Sequence, residues 1–179
     1  MIHIGEIRTE RPEKCETELR QKVYDTLDKM GIHYERVDTD EVITMDDCAA
    51  VNEKLHMDMV KTLFVCNRQQ TEFYLFITKG DKPFRSKEFS GALGISRVSF
   101  APVEKMEEKL GTKVGAATVF SALLESAADV HIVFDREVAE SEWYGCSDGV
   151  TTGYMKVRTA DILDKVIPET GHRVQIISV

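Results

Sequence analysis

Short β-rich runs and short helical runs follow one another along this chain without a regular alternation. Two runs rich in β-branched and aromatic residues, 60–66 and 71–78, flank the polar stretch 67–70, a pattern that predicts a β-hairpin. The irregular order argues against a doubly wound parallel sheet. It predicts a mixed α/β fold, in which a mixed, partly closed β-barrel-like sheet is surrounded by helices. Further strands are predicted at 32–37, 98–101, 130–134, 152–157 and 174–178.

The helices are predicted from apolar spacing and from residues that favour helix ends. Thr44 with an acid three residues later is a capping-box pattern. Gly31, Gly94 and Gly111 each follow a stretch with helical apolar spacing. These signals predict helices at about 19–30, 44–55, 86–93, 103–110, 119–125 and 159–166, with a helical turn at 139–143.

Length and composition are those of an ordinary globular domain. The chain has 179 residues, 42% of them hydrophobic and 30% charged, which is enough to bury a core without disulfide or metal staples. Residues 1–15 are polar, contain Pro12 and have no sustained apolar period. We therefore expect an N-terminal arm at 1–15 and a single domain at 16–179.

The first residues and the cysteines bear on the compartment. The start of the chain lacks the basic leader and apolar stretch of a signal peptide, and no segment is apolar and long enough to span a bilayer. Cys15, Cys48, Cys66 and Cys146 form no Cys-x-x-Cys pair and have no histidine at zinc spacing. We expect a cytoplasmic protein with reduced thiols, no membrane association, no metal and no other cofactor.

The net charge of −8 argues against a broad basic surface for nucleic acids, and no DNA partner is expected. One local cluster is basic and comprises Lys79, Lys82, Arg85 and Lys87. This cluster is either a solvated loop and helix start or, if the partner is RNA, a contact to phosphate.

Lys61 stands at the start of the apolar run 60–66. A charge that enters such a run is costly to bury without a partner. Its ammonium either reaches the surface on its long apolar stem or faces a cleft and meets an anion.

Two further segments have compositions that suit a binding site. Small residues at 111–118 precede a predicted helix, and free main-chain amides at such a position attract an anion or a carbonyl oxygen. Alternatively, Gly115 only makes a turn before the helix. The segment 144–154 is polar and glycine-rich, as loops that line sites often are, although many such loops have no further role.

Several of these stretches, in this order, resemble the YbaK/ProX superfamily of aminoacyl-tRNA editing domains. The resemblance is greatest to the PrdX-type branch, free-standing relatives of the editing domain inserted in bacterial prolyl-tRNA synthetase. It extends from about Val23 to Pro168, and the order and spacing of short stretches carry it. These stretches are 34–38, 44–48, 60–68, 80–84, 93–101, 134–135, 144–146 and 159–163.

The resemblance implies a barrel-like mixed sheet wrapped by helices and hydrolysis of the ester of a mischarged tRNA, such as alanine on tRNA for proline. The invariant lysine of the family falls on Lys61, and its glycine-led substrate loop falls on 115–119. The acceptor end of aminoacyl-tRNA is the implied substrate, and prolyl-tRNA synthetase is a candidate partner. Expected catalytic residues are Lys61, Gly115 and Ala116. Expected substrate-binding residues are Thr62, Ala117, Thr118, Ser147, Asp148 and Thr151.

In this hypothesis, main-chain amides at 115–117 stabilise the oxyanion, Lys61 holds the ester or the terminal ribose-phosphate by charge, and water attacks. Asp148 either attracts the α-ammonium of the substrate or faces water. Cys146 is not expected to be a nucleophile, because no base can be assigned to it.

The chain departs from the family pattern at two places. Val119 stands where the loop often ends in proline, and Ser147, Asp148 and Thr151 stand where the family usually has His-Pro and then Asn. These departures keep a second hypothesis open, a weak or inactive paralogue that binds an amino acid, a nucleotide or a tRNA end in a regulatory role. A third is a partner-binding domain with no small-molecule site.

Overall fold

The computed structural model describes residues 1–179. Three of its eight strands form a small antiparallel sheet in the order β1-β7-β6. In this sheet, polar groups of the main chain are paired along β7 by neighbours on both sides. The strands are β1 (Tyr34–Asp38), β6 (Trp143–Ser147) and β7 (Gly153–Arg158).

The larger sheet has five strands in the order β4-β2-β3-β5-β8. The predicted hairpin is confirmed, since β2 and β3 are antiparallel neighbours over their whole length. β5 and β8 extend the sheet in parallel, whereas β4 pairs with only two residues of β2. The strands are β2 (Val60–Cys66), β3 (Phe73–Lys79), β4 (Ser99–Phe100), β5 (Val130–Asp135) and β8 (Val174–Ile177).

The predicted mixed α/β class is confirmed, with one refinement of its geometry. A single bridge between Met59 and Gly145 connects the two sheets, and the strands do not close into a barrel. The main core lies where helices and the two sheets meet, and it includes Leu27, Phe120 and Phe134.

Six helices surround the sheets. Thr44 makes the predicted capping box, because its hydroxyl accepts from the Asp47 amide and the Asp47 carboxylate accepts from the Thr44 amide. The helices are α1 (Glu18–Lys29), α2 (Met45–Leu55), α3 (Ser86–Leu93), α4 (Val103–Leu110), α5 (Arg136–Ala139) and α6, which joins Thr159–Asp161, a π-helical Ile162–Val166 and Ile167–Glu169.

Two of the helix predictions were wrong in detail. The predicted helix at 119–125 is a 3₁₀ helix, Val119–Leu123, which ends because Leu124 takes an extended conformation that buries its side chain. The predicted turn at 139–143 lies too late in the chain. Asp135 caps α5 directly after β5, and Trp143 already belongs to β6, where it pairs with Arg158.

The first residues of the chain follow the outer edge of β1. Ile4 and Arg8 form isolated bridges with Thr39 and Arg36, and the Gly5 amide donates to the Asp38 carbonyl at 2.8 Å. The division into an arm at 1–15 and a domain at 16–179 remains a prediction. None of the helices combines the length and the apolar character that crossing a membrane requires.

Candidate active site

A cavity of about 1050 Å³ follows the free edge of β2. Its lining includes Lys61 and Thr62 of β2, Gly115 and Ala117 of the loop after α4, and Ser147 at the end of β6. Three segments that are far apart in sequence therefore meet at one cavity. The walls also include residues of α2 and α4.

The free edge exists because β4 is so short. Only Val65 and Cys66 pair with β4, and the Ala101 amide donates to the Phe64 carbonyl at 2.9 Å. Main-chain groups of successive strand residues alternate in direction, so those of Thr62 point to the same side as those of Phe64. No strand covers them there, and they are available to a ligand.

Lys61 is half-buried, and its ammonium donates a hydrogen bond to the main-chain carbonyl of Lys82. An ammonium has three N–H donors. The other two make no hydrogen bond within the chain, so Lys61 brings a positive charge with unused donors to the cavity wall.

The loop at 115–117 has both free and occupied main-chain amides. Gly115 has φ +90°, in the region that favours glycine. The Gly115 and Ala117 amides have no partner, whereas the Ala116 amide donates to the Lys113 carbonyl at 3.1 Å. Ala116 is also buried and does not line the cavity, so the unpaired amides among the lining residues belong to its two neighbours.

Ser147 connects this loop to β6. Its hydroxyl donates to the Ala116 carbonyl at 2.9 Å and accepts from the Gly149 amide at 3.3 Å. The predicted loop at 144–154 is thus mostly a hairpin, in which β6 runs to Ser147 and β7 begins at Gly153. Ser147 fixes the glycine-led loop rather than offering a free hydroxyl.

Asp148 points away from the cavity. Its side chain is 1% exposed, and its Oδ2 accepts from the Tyr24 hydroxyl and from Arg20 Nε at 3.1 Å. Arg20 also pairs with Asp38 at 3.2 Å. Burial raises the pKa of Asp148, and the charge of Arg20 opposes that rise. Neither role expected for Asp148, contact with the α-ammonium or with water, fits this position.

Thr118 and Thr151 do not line the cavity either. Thr118 is fully buried, and its hydroxyl caps the 3₁₀ helix by accepting from the Phe120 amide. The Thr151 carbonyl accepts from the Tyr154 hydroxyl at 3.1 Å and from the Val42 amide. Both residues support the walls from behind.

Sequence reasoning missed the apolar rim of the cavity. Four large apolar side chains on its lining are exposed, and they come from α2, β4, α4 and the loop before Gly115. The only sign of them in the sequence is that each is an apolar residue at a position where the spacing of the helix or strand predicts a polar, exposed one. They are Met45, Phe100, Val103 and Val114.

Fold and cavity together define a mixed α/β domain with a cavity lined by a lysine, a glycine-led loop and a strand end. Residues 39–165 match the family described as the aminoacyl-tRNA editing domain. Because the match spans more than half of the chain, the chain belongs to the aminoacyl-tRNA editing domain family. The predicted YbaK/ProX-type relationship is confirmed.

One relative is similar to this chain in sequence, and two solved structures are similar to it in fold. The chain is 26% identical over 119 residues to the prolyl-tRNA editing protein ProX of Acetoanaerobium sticklandii, covering 66% of this chain and 73% of ProX. The crystal structure of APE2540 superposes with a TM-score of 0.68 at 19% identity, covering 88% of this chain and 99% of that one. A structure described as a trans-editing enzyme for prolyl tRNA synthetase superposes with a TM-score of 0.62 at 14% identity, covering 92% of this chain and 99% of that one. The structures share the fold.

Proposed function

We propose that this chain hydrolyses, in trans, the ester bond of a mischarged aminoacyl-tRNA. Its preferred substrate is a small amino acid such as alanine on tRNA for proline, and it acts alongside prolyl-tRNA synthetase. The family and the likeness to ProX support the reaction class. The observation that carries the proposal is the pair of free amides, of Gly115 and Ala117, on the same cavity as Lys61.

The free amides suit the oxyanion of ester hydrolysis. Attack on the ester places negative charge on the carbonyl oxygen, and fixed donors aimed at that charge lower the barrier most effectively. The Gly115 and Ala117 amides lie on a loop that the Ser147–Ala116 hydrogen bond holds in place. They need little rearrangement when the charge develops.

Lys61 supplies a positive charge to the same cavity. Its two unused N–H donors suit the ester oxygen or the ribose-phosphate of the terminal nucleotide. The cavity of about 1050 Å³ is slightly larger than the roughly 300–1,000 Å³ typical of small-molecule sites. It has room for the terminal nucleoside together with a small aminoacyl group.

Water is the attacking group in this proposal. Burial raises the pKa of the Cys146 thiol far above its ordinary value, which keeps it protonated and unreactive. The Ser147 hydroxyl already donates to the Ala116 carbonyl and has no base beside it. A neighbouring ribose hydroxyl of the substrate is the group best placed to orient the water.

The test compares Lys61→Met with Lys109→Met on tRNA for proline charged with alanine, serine, cysteine or proline. Lys109 is also a partly buried lysine, with 15% of its side chain exposed, and it does not line the cavity. We expect alanyl-tRNA to be hydrolysed fastest and Lys61→Met to lower kcat/KM by about 10²- to 10³-fold. Lys109→Met should stay within about twofold of the wild type.

Two results would contradict the proposal. If the wild type hydrolyses none of the four esters faster than buffer, the chain is not a deacylase of this specificity. If it does, but Lys61→Met retains full activity, the mechanism loses Lys61. Saturable binding of alanyl-tRNA without turnover would favour the regulatory paralogue instead.

A further inference from the structure

We infer that Lys82 is a positioning residue that fixes where the Lys61 ammonium lies, through a closed ring of contacts formed with Thr78 and Asp135. This inference rests on the proposed function for its consequence in catalysis. Lys82 does not line the cavity, so any effect on the reaction has to pass through Lys61.

The first part of the ring is the β2–β3 pairing. Lys61 lies directly opposite Thr78, and directly opposed residues of an antiparallel pair project on the same face. The Thr78 hydroxyl donates to Asp135 Oδ2 at 2.8 Å. Asp135 ends the neighbouring strand β5, so three strands bring these side chains to one place.

The second part is a carboxylate held from several sides. The Asp135 side chain is 1% exposed, and Lys82 Nζ lies 2.7 Å from its Oδ2. Asp135 Oδ1 accepts from the Glu137 amide as the cap of α5. Lys82 Nζ also lies 2.6 Å from Glu137 Oε1. Such a carboxylate is a fixed point, and it anchors the Lys82 side chain.

The third part is the main chain of Lys82. Its carbonyl accepts the hydrogen bond from Lys61, which closes the ring. Lys82 thus uses its side chain to fix its own backbone and uses its backbone to hold the catalytic ammonium. A lysine stem has many rotamers, and the ring selects one of them before substrate arrives.

A purely structural role for Lys82 makes different predictions. Lys82 Nζ also lies 2.5 Å from the Val179 carbonyl oxygen, so the residue anchors β8 and the loop 80–85 as well. If that were its whole purpose, loss of its side chain would lower stability without changing the environment of Lys61. The test therefore needs a measurement on Lys61 itself.

The experiment uses three variants of the full chain. Lys82→Met removes the ammonium but keeps the carbonyl, and Lys82→Arg keeps a cation that can reach Asp135. Lys109→Met is the matched control, because it breaks another partly buried pair, Lys109 with Asp129 at 2.8 Å, away from the cavity. Each variant is assayed for kcat and KM with alanyl-tRNA for proline. The rate at which trinitrobenzenesulfonate modifies Lys61 is followed by peptide mass spectrometry.

We expect Lys82→Met to lower kcat by about 10- to 100-fold, with KM within about threefold of the wild type. Lys82→Arg should retain most of the wild-type kcat. Lys61 modification should become several-fold faster in Lys82→Met alone, because the released ammonium is more accessible. If Lys61 modification is unchanged in Lys82→Met, or if Lys109→Met produces the same change, the inference is overturned. If no variant or wild type hydrolyses the ester but Lys61 modification responds as expected, the positioning role stands and the proposed function falls.

Discussion

Asp148 is a buried charge that connects α1 to the strand end lining the cavity. Its carboxylate meets Arg20 and Tyr24 of α1, while its neighbour Ser147 holds the glycine-led loop. Both partners on α1 precede the segment 39–165 that matches the family. Ser147 and Asp148 therefore both have structural contacts: Ser147 holds the loop, and Asp148 joins the end of β6 to α1.

The first prediction concerns the buried ion pair of Asp148 with Arg20. Asp148→Ala should lower the free energy of unfolding by about 3–5 kcal/mol, because it leaves the buried Arg20 with only the exposed Asp38 as an acidic partner. Urea unfolding measures the loss. Glu169→Ala is the control, since its pair with Lys29 is exposed and should contribute at most about 1 kcal/mol. Equal losses in the two variants would contradict the buried role.

The second prediction separates backbone strain from chemistry at Gly115. Gly115 and Gly171 both have positive φ, +90° and +81°, and the space around each admits a methyl group. Alanine at either position should cost about 1–2 kcal/mol of stability. Only Gly115→Ala should also lower kcat of ester hydrolysis, because strain at this position shifts the free amides. Unaltered kcat in Gly115→Ala would remove the loop from oxyanion stabilisation.

At the scale of elements, α2 forms one wall of the cavity through Met45, Cys48, Ala49 and Asn52. Its first turn is exposed, so the capping box has to hold it in place of core packing. The Thr44 and Ile43 amides donate to the Asp47 carboxylate and hold its pKa below the ordinary value. The cap is therefore a charge-dependent part of the cavity wall.

The third prediction follows from the lowered pKa of Asp47. A carboxyl whose pKa is lowered in the folded state stabilises the fold above its unfolded pKa of about 3.9, and this contribution disappears as the pH falls through the lower folded pKa. The stability difference between wild type and Asp47→Asn should be constant from pH 7 to about 5 and shrink progressively as the pH falls below the unfolded pKa and through the lower folded one.

Amide NMR of α2 together with urea unfolding at each pH provides the measurement. Asp46→Asn is the control, because Asp46 is also an acid of the first turn but accepts no hydrogen bond from the cap. A pH-independent difference for Asp47→Asn would mean that the carboxylate contributes nothing to the cap.

Sequence patterns between residues close in the chain correctly predicted the elements that depend on such residues alone. The β2–β3 hairpin and the start of α2 depend on alternation and on residues three apart, so the sequence was sufficient for them. The whole of β6 was missed, because its first residue, Trp143, is held by partners that are distant in sequence. It pairs with Arg158, and the cations of Arg158 and Lys156 lie 4.8 and 4.5 Å from its ring.

Contacts between residues that are distant in sequence also explain which parts of the site were not predicted. Lys61, Gly115 and Ser147 were predicted to meet, and they line one cavity. Asp148 was assigned to the pocket because nothing near it in sequence indicates its true partner. Arg20 lies 128 residues away, and only the folded chain brings the two together. Which of three consecutive amides is free, Gly115, Ala116 or Ala117, also depends on a turn that composition cannot specify.

At the scale of the molecule, an acidic chain is proposed to act on a polyanion. The net charge is −8, and the cavity lining includes acids such as Asp58, Asp81 and Glu142 beside Lys61. Phosphate contacts close to the site must therefore work against repulsion over longer distances. The reaction with tRNA should therefore depend on salt concentration differently from that of a basic RNA-binding protein.

The fourth prediction is that kcat/KM for whole alanyl-tRNA does not fall when salt is raised from about 10 to 150 mM, because the Debye length shrinks from roughly 30 to 8 Å and the repulsion is screened. We expect a rise of about two- to fivefold, carried by faster association. Alanyl-adenosine, which has the same ester and no phosphate, is the matched substrate, and its kcat/KM should stay constant. A fall of more than about tenfold with tRNA alone would mean that several phosphate contacts dominate binding, and that the net charge of −8 conceals a docking surface for the acceptor stem.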